Sequence, residues 1–227
     1  MHSCRNVFLT TAALMSATSA NSSAQPCPFW TKSTPDARRD ACSVYDSARS
    51  RTVLFGGNMG AINGETWEWD GTRWTLRATT GPSPRSNGAM AYDSIRARTV
   101  LFGGYDTSFN GETWEWDGTS WSLRSSTGPS PRSSVAMAYD SIRGRTVLFG
   151  GYPGAYDNET WEWDGISWVL RTTSGPSART EHALTYDSLR GMVVLFGGWD
   201  GTNDLADTWE WNGIEWTQPG ASGPGPR

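Results

Sequence analysis

Residues 99–123 read TVLFGGYDTSFNGETWEWDGTSWSL, and the fold is decided in this stretch. Thr99-Val100-Leu101-Phe102 is a β-branched and aromatic run closed by Gly103-Gly104, the mark of a short strand with a tight exit. Glu112 to Asp117 alternates, so a strand there places Trp114 and Trp116 on one face and Thr113, Glu115 and Asp117 on the other. Asp117-Gly118 is a hairpin turn signal, and a further strand follows around Trp121 and Leu123. Working outward, residues 86–92 (SNGAMAY) supply a first strand, and Asp93 to Arg98 a polar turn shaped by the Asp carboxylate. Gly128-Pro129 and Pro131 then break the chain. The unit is four strands.

The unit recurs every 47 residues. Tyr-Asp returns at Tyr45, Tyr92, Tyr139 and Tyr186, and Phe-Gly-Gly at Phe55, Phe102, Phe149 and Phe196. Thr-Trp-Glu-Trp returns at Trp67, Trp114, Trp161 and Trp209, each followed by a later Trp at 74, 121, 168 and 216. Only the last copy departs, by one residue inserted between Gly198 and Trp209. A fixed period of this size implies sheets that bury their faces against copies of themselves. Of the 28 aromatic residues, 20 occupy these repeated slots, which makes them packing residues first.

A Gly-Gly doublet closing a strand, an aromatic further on and then a Trp, in units near 50 residues, resembles the kelch repeat of β-propellers. The resemblance covers about residues 35–227. It implies an all-β kelch-type propeller of four-stranded blades, with repeats at 35–80, 81–127, 128–174 and 175–222. Trp stands where many kelch units carry a third-strand Tyr. Such propellers usually close with six or seven blades, so four repeats imply a partial propeller. Residues 223–227 (GPGPR) match 81–85 and read as the start of a truncated fifth repeat, and Pro28 to Lys32 within 25–34 resembles a closing outer strand.

The N-terminus reads as a targeting segment. Arg5 precedes a short apolar stretch from Val7 to Ala17, and Ser22-Ser23-Ala24 fits a small-residue cleavage site, with Ala20 as the alternative. A signal peptide at 1–24 predicts an exported, bacterial-type protein that is periplasmic, extracellular or at the cell surface. No stretch is apolar for long enough to span a bilayer. Cys27 and Cys42 then remain, and in an oxidising compartment they could bridge. Alternatively Cys42 fills a small buried slot, like Ala89, Ala136 and Ala183 in the other repeats.

A net charge of -4, with no basic run, points away from nucleic acid. One histidine, His182, follows the expected leader, too few for a triad or a His-rich metal site, so the reading includes no catalytic residue, metal or cofactor. Arg38, Arg85, Arg132 and Arg179, with Glu68, Glu115, Glu162 and Glu210, recur in every unit and read as scaffold ion pairs. Function belongs where the copies differ. Six consecutive differences between two otherwise similar units fall at 106–111, between the Gly-Gly doublet and the third strand. Tyr105, Phe109, Tyr152, Tyr156 and Trp199 are the spare aromatics of these loops, suited to stack on a sugar or grip a peptide. The sequence thus predicts a non-catalytic scaffold for a protein or glycan. A carbohydrate-acting propeller enzyme with its catalytic groups in further blades, and a structural surface repeat, are the alternatives.

Overall fold

The computed structural model describes residues 33–220. The expected leader, Cys27 and the 223–227 match lie outside the described residues. Sixteen strands make four antiparallel sheets, each ordered as in the chain. Blade 1 holds β1 (Cys42–Asp46), β2 (Arg51–Phe55), β3 (Thr66–Trp69) and β4 (Trp74–Ala78); blade 2 holds β5 (Ala89–Asp93), β6 (Arg98–Phe102), β7 (Thr113–Trp116) and β8 (Trp121–Ser125). Blade 3 holds β9 (Ala136–Asp140), β10 (Arg145–Phe149), β11 (Thr160–Trp163) and β12 (Trp168–Thr172). Blade 4 holds β13 (Ala183–Asp187), β14 (Met192–Trp199), β15 (Asp204–Trp211) and β16 (Trp216–Thr217). The arrangement is a four-blade β-propeller, and the described residues contain no helix.

Strands are shorter than the composition predicts, for local reasons. Asn87 has φ 55°, which interrupts the extended run, so the first strand starts at Ala89. Asp117 already belongs to a turn, its carboxylate accepting the amides of Thr119 and Ser120 at 2.7 and 2.8 Å. The first turn is built the same way: Asp93 accepts the amides of Ile95 and Arg96 at 3.0 and 2.9 Å.

Burial comes from neighbouring blades, and each junction repeats one pattern. The last Trp of a blade lies edge-on to the Phe of the preceding blade, with centroids 5.4 Å apart in Phe55–Trp121, Phe102–Trp168 and Phe149–Trp216. Its indole N–H donates to that blade's Thr, 2.7 Å to Thr66, 2.7 Å to Thr113 and 2.8 Å to Thr160. The middle Trp donates to the preceding blade's buried Glu: Trp116 to Glu68 at 3.1 Å, Trp163 to Glu115 at 3.3 Å, Trp211 to Glu162 at 3.0 Å. Area sets the ranking. Burying one Trp is worth about 4–6 kcal/mol at ~25 cal/mol per Å², against ~1 kcal/mol for a hydrogen bond. The rings hold the blades together and the hydrogen bonds fix their register.

The repeated charges are scaffold, with partners the sequence did not specify. Arg85 is fully buried and donates to the Gly103 carbonyl at 3.2 Å and to Glu112 at 2.8 Å, which also accepts from Trp114 at 2.9 Å. Arg132–Glu159 and Arg179–Asp207 repeat it. The row at Glu68, Glu115 and Glu162 instead takes the turn or fourth-strand arginines, as in Arg96–Glu115 at 2.5 Å and Arg171–Glu162 at 2.6 Å. The Gly-Gly doublet has a tertiary cause. Gly103 has φ +72°, and a Cβ there would lie 2.6 Å from the Arg132 carbonyl of the next blade.

Cys42 is a buried free thiol in contact distance of Gly88, and burial pushes its pKa up to about 12. Inner strands β1, β5, β9 and β13 together line a cavity of about 800 Å³ with uncharged side chains, among them Tyr92, Tyr139, Ser94 and Ser141. Contacts join β1 to β5, β5 to β9 and β9 to β13, with no comparable contact between β13 and β1.

Glu115→Ala leaves the buried Trp163 N–H without its acceptor and Arg96 with Asp93 as its remaining carboxylate, so it is expected to cost about 2 kcal/mol. Arg124→Ala, removing a half-exposed partner of the same carboxylate, is expected to cost less than about 1 kcal/mol. Urea midpoints of the two variants check the ranking.

Candidate ligand-binding rim

The loops between second and third strands are held at their ends and free at their tips. In blade 2, Ser86 and Tyr105 exchange backbone hydrogen bonds at 3.0 and 2.8 Å, and Asn110 donates to Gly104 at 2.9 Å. The tip is a self-contained turn in which Asp106 accepts the Ser108 amide at 2.9 Å. Nothing in the blade core constrains residues 106–109, which explains why these positions vary among copies.

The five aromatics singled out from the sequence meet in one continuous ridge across three blades. Tyr105 lies 5.3 Å from Phe109, Phe109 lies 5.8 Å from Tyr152 in the next blade, and Tyr152 lies 5.4 Å from Tyr156. Each step is edge-to-face, the preferred arrangement of aromatic quadrupoles. Trp199 of blade 4 completes the ridge by donating its indole N–H to the Tyr156 hydroxyl at 3.1 Å. Tyr105 and Tyr156 are exposed, and Phe109, Tyr152 and Trp199 are half-buried. Blade 1 adds no ring, its loop reading Asn58-Met59-Gly60-Ala61-Ile62.

At the same end of the blades, nearer the axis, lies a second feature that the sequence did not announce. A cavity of about 170 Å³ is lined by Asp40, Asn87, Ser134 and Glu181, and by Ala41, Gly88, Val135 and His182 just after them. The first four occupy one slot of the repeat, and all are left-handed, with φ of 58°, 55°, 54° and 58°. Backbone bonds link the first three from blade to blade: Asn87 N donates to Asp40 O at 2.9 Å, and Ser134 N to Asn87 O at 2.8 Å. Asn and Asp tolerate this conformation and Ser and Glu less so, at a cost of about 1–2 kcal/mol each. The slot's one sequence signal is that it is always polar and never Gly.

His182 lies beside this cavity, buried edge-on against Phe149 with centroids 5.4 Å apart. Neither ring nitrogen makes a hydrogen bond. Burial, and then the charge of Arg179, push its pKa down to about 3, and the nearby carbonyls of Phe149 and Thr180 do not offset them. The imidazole is neutral at physiological pH, with neither ring nitrogen held to a carboxylate, hydroxyl or thiol. Among the described residues no group of three or more His, Cys, Asp or Glu side chains is placed to hold a metal ion. Asp200 is occupied by the Thr202 and Asn203 amides of its own turn, both at 2.7 Å. This rim is equipped to bind by stacking and hydrogen bonding.

A histidine whose folded pKa lies below its unfolded value, near 6.5, takes up its proton more readily once unfolded. Its contribution therefore lowers stability as pH falls below about 6.5, down to about 3. Replacing it as in His182→Val, the residue that Val135 supplies in blade 3, is expected to remove roughly 1 kcal/mol of the loss between pH 7 and 5.5. Thermal or urea unfolding of both proteins across that range checks it.

Compared with known proteins, the chain matches no family model and finds no significantly similar curated relative.

Proposed function

We propose that this chain is a kelch-type propeller of an exported, bacterial-type protein and serves as a binding module for a protein or glycan at the rim of the second-to-third-strand loops. The observation that carries this reading is the continuity of the ridge Tyr105–Phe109–Tyr152–Tyr156–Trp199, drawn from three separate loops. Packing within a blade does not require these rings, since the repeated Trp, Tyr and Phe slots already fill the junctions. Rigid aromatics lose little side-chain entropy on binding and offer both apolar faces and hydroxyl groups, which suits sugar rings and peptide side chains alike. The polar cavity lined by Asp40, Asn87, Ser134 and Glu181 lies at the same end and adds carboxylate, amide and hydroxyl groups for orientation. Variation concentrated in loop tips on a fixed scaffold is how such a surface changes ligand without changing fold. Export rests on the leader-like N-terminus, and the kelch assignment on the repeat pattern.

Glycan arrays and pull-downs from extracellular material identify the ligand class, with titration calorimetry giving its affinity. Tyr105→Ala and Tyr156→Ala are each expected to weaken binding about tenfold or more, as central aromatic contacts do, with an unchanged melting temperature. Unaltered affinity in the double variant would place the ligand elsewhere.

A further inference from the structure

The rim aromatics and the axial cavity form one surface, and its charge is one-sided. Tyr105, Tyr152 and Trp199 bridge through their backbones to Ser86, Ser133 and Thr180. The residue after each of these, Asn87, Ser134 and Glu181, lines the cavity of about 170 Å³. Ridge and cavity therefore lie side by side on three successive blades.

The loops at 58–64, 105–111, 152–158 and 199–206 hold no Lys or Arg, whereas Asp106, Asp157, Asp200 and Asp204 fall within them. Asp106 follows Tyr105 and Asp200 follows Trp199 in the chain. The Ser108 and Asn203 amides of their own turns hold these two carboxyls below the usual range, so both are charged. Asp204 stands opposite Trp199 in the β14–β15 ladder, and the two side chains share a face. The buried Arg85, Arg132 and Arg179 do not offset this charge, being paired with Glu112, Glu159 and Asp207. The exposed Arg39 is matched by Asp40 at 3.6 Å.

The cavity wall adds an acceptor. His182 is 7% exposed and lines the cavity, and neither ring nitrogen has a hydrogen-bond partner. Its neutral imidazole keeps a lone pair that can accept an N–H. Next to it in the chain, the exposed Glu181 brings a carboxylate to the same wall. The volume is below the roughly 300 Å³ at which whole small-molecule ligands are enclosed, so it suits a single side chain.

From this we infer that the rim binds a basic protein segment, with one lysine or arginine entering the axial cavity at Glu181 and His182 and its neighbours lying along the ridge. The inference rests on the rim reading above and narrows its ligand to a cationic peptide. Charge complementarity favours a peptide over a sugar. Glycans are for the most part neutral or acidic, and an acidic one would be repelled by Asp106, Asp200 and Asp204. A guanidinium or ammonium group is attracted both by those carboxylates and by the faces of Tyr and Trp rings. Length agrees too. Centroid steps of 5.3, 5.8 and 5.4 Å along the ridge match an extended segment of about five residues at ~3.3 Å each.

The test titrates the full chain against short fluorescent peptide pools, randomised except for fixed arginines, fixed glutamines or fixed glutamates. Neutral oligosaccharides and an amino-sugar oligomer complete the probes. The arginine pool is expected to bind about tenfold tighter than the glutamine pool, with the preference shrinking as salt is raised, and the glutamate pool not to bind. Glu181→Gln is expected to remove most of that preference at an unchanged melting temperature. Glu215→Gln makes the same charge change at an exposed position at the opposite end of the blades, and is expected to keep the preference. Equal binding of the three pools, no binding by any of them, or tightest binding by a sugar would each overturn the proposal. So would a preference that survives Glu181→Gln or is lost equally in Glu215→Gln. The rim reading itself is judged separately: it stands if the Tyr105→Ala, Tyr156→Ala double variant weakens whichever probe binds, and falls if it does not.

Discussion

A four-stranded sheet with Trp and Leu on one face and Val, Glu and Phe on the other has no stable existence alone, and each blade here leans on the next. Fully buried Trp116, Trp163 and Trp211 reach across a junction to a carboxylate on the preceding sheet. That carboxylate sits in an apolar layer, so it needs the indole N–H and the turn arginine together. Removing the neighbour leaves a buried charge and a bare ring at the same place. Stability is therefore shared between blades, as in other repeat architectures.

The same dependence explains where variation is allowed. The Trp, Phe, Thr and Glu that cross a junction are repeated, down to the Thr that accepts from the last Trp. The loops at 58–64, 105–111 and 152–158 meet the next repeat through backbone atoms, as in Arg132 N to Asn110 O at 3.0 Å, and in these loops and at 199–206 the side chains are free to differ. A rigid frame with unconstrained tips collects the spare aromatics on one rim. The buried, uncharged His182 and the four left-handed residues next to it show the frame also carrying unusual local choices at that end.

Much of this was legible from the chain. Alternation in TWEW put Glu and Trp on opposite faces, the Asp-Gly pairs placed the outer turns, and the Asp after each Tyr shaped the first turn. The spare aromatics could be named because the repeat subtracts the structural ones. Other features were silent. Nothing in the sequence says that Arg85 pairs with Glu112 and the doublet carbonyl, since those partners lie on different strands. Cys42 is a free buried thiol in the structure, and its expected partner Cys27 is outside the described residues.

The sequence by itself determined the blade: strand number, facing, turn chemistry and the demand for a neighbour, because these follow from periods of two and 47 residues and from local turn preferences. Only the tertiary structure decided that five rings from three loops touch in a line and that a polar slot becomes left-handed around an axial cavity. Those depend on how sheets are rotated about a common axis. That rotation comes from the summed packing of junctions and is encoded in no short stretch of chain.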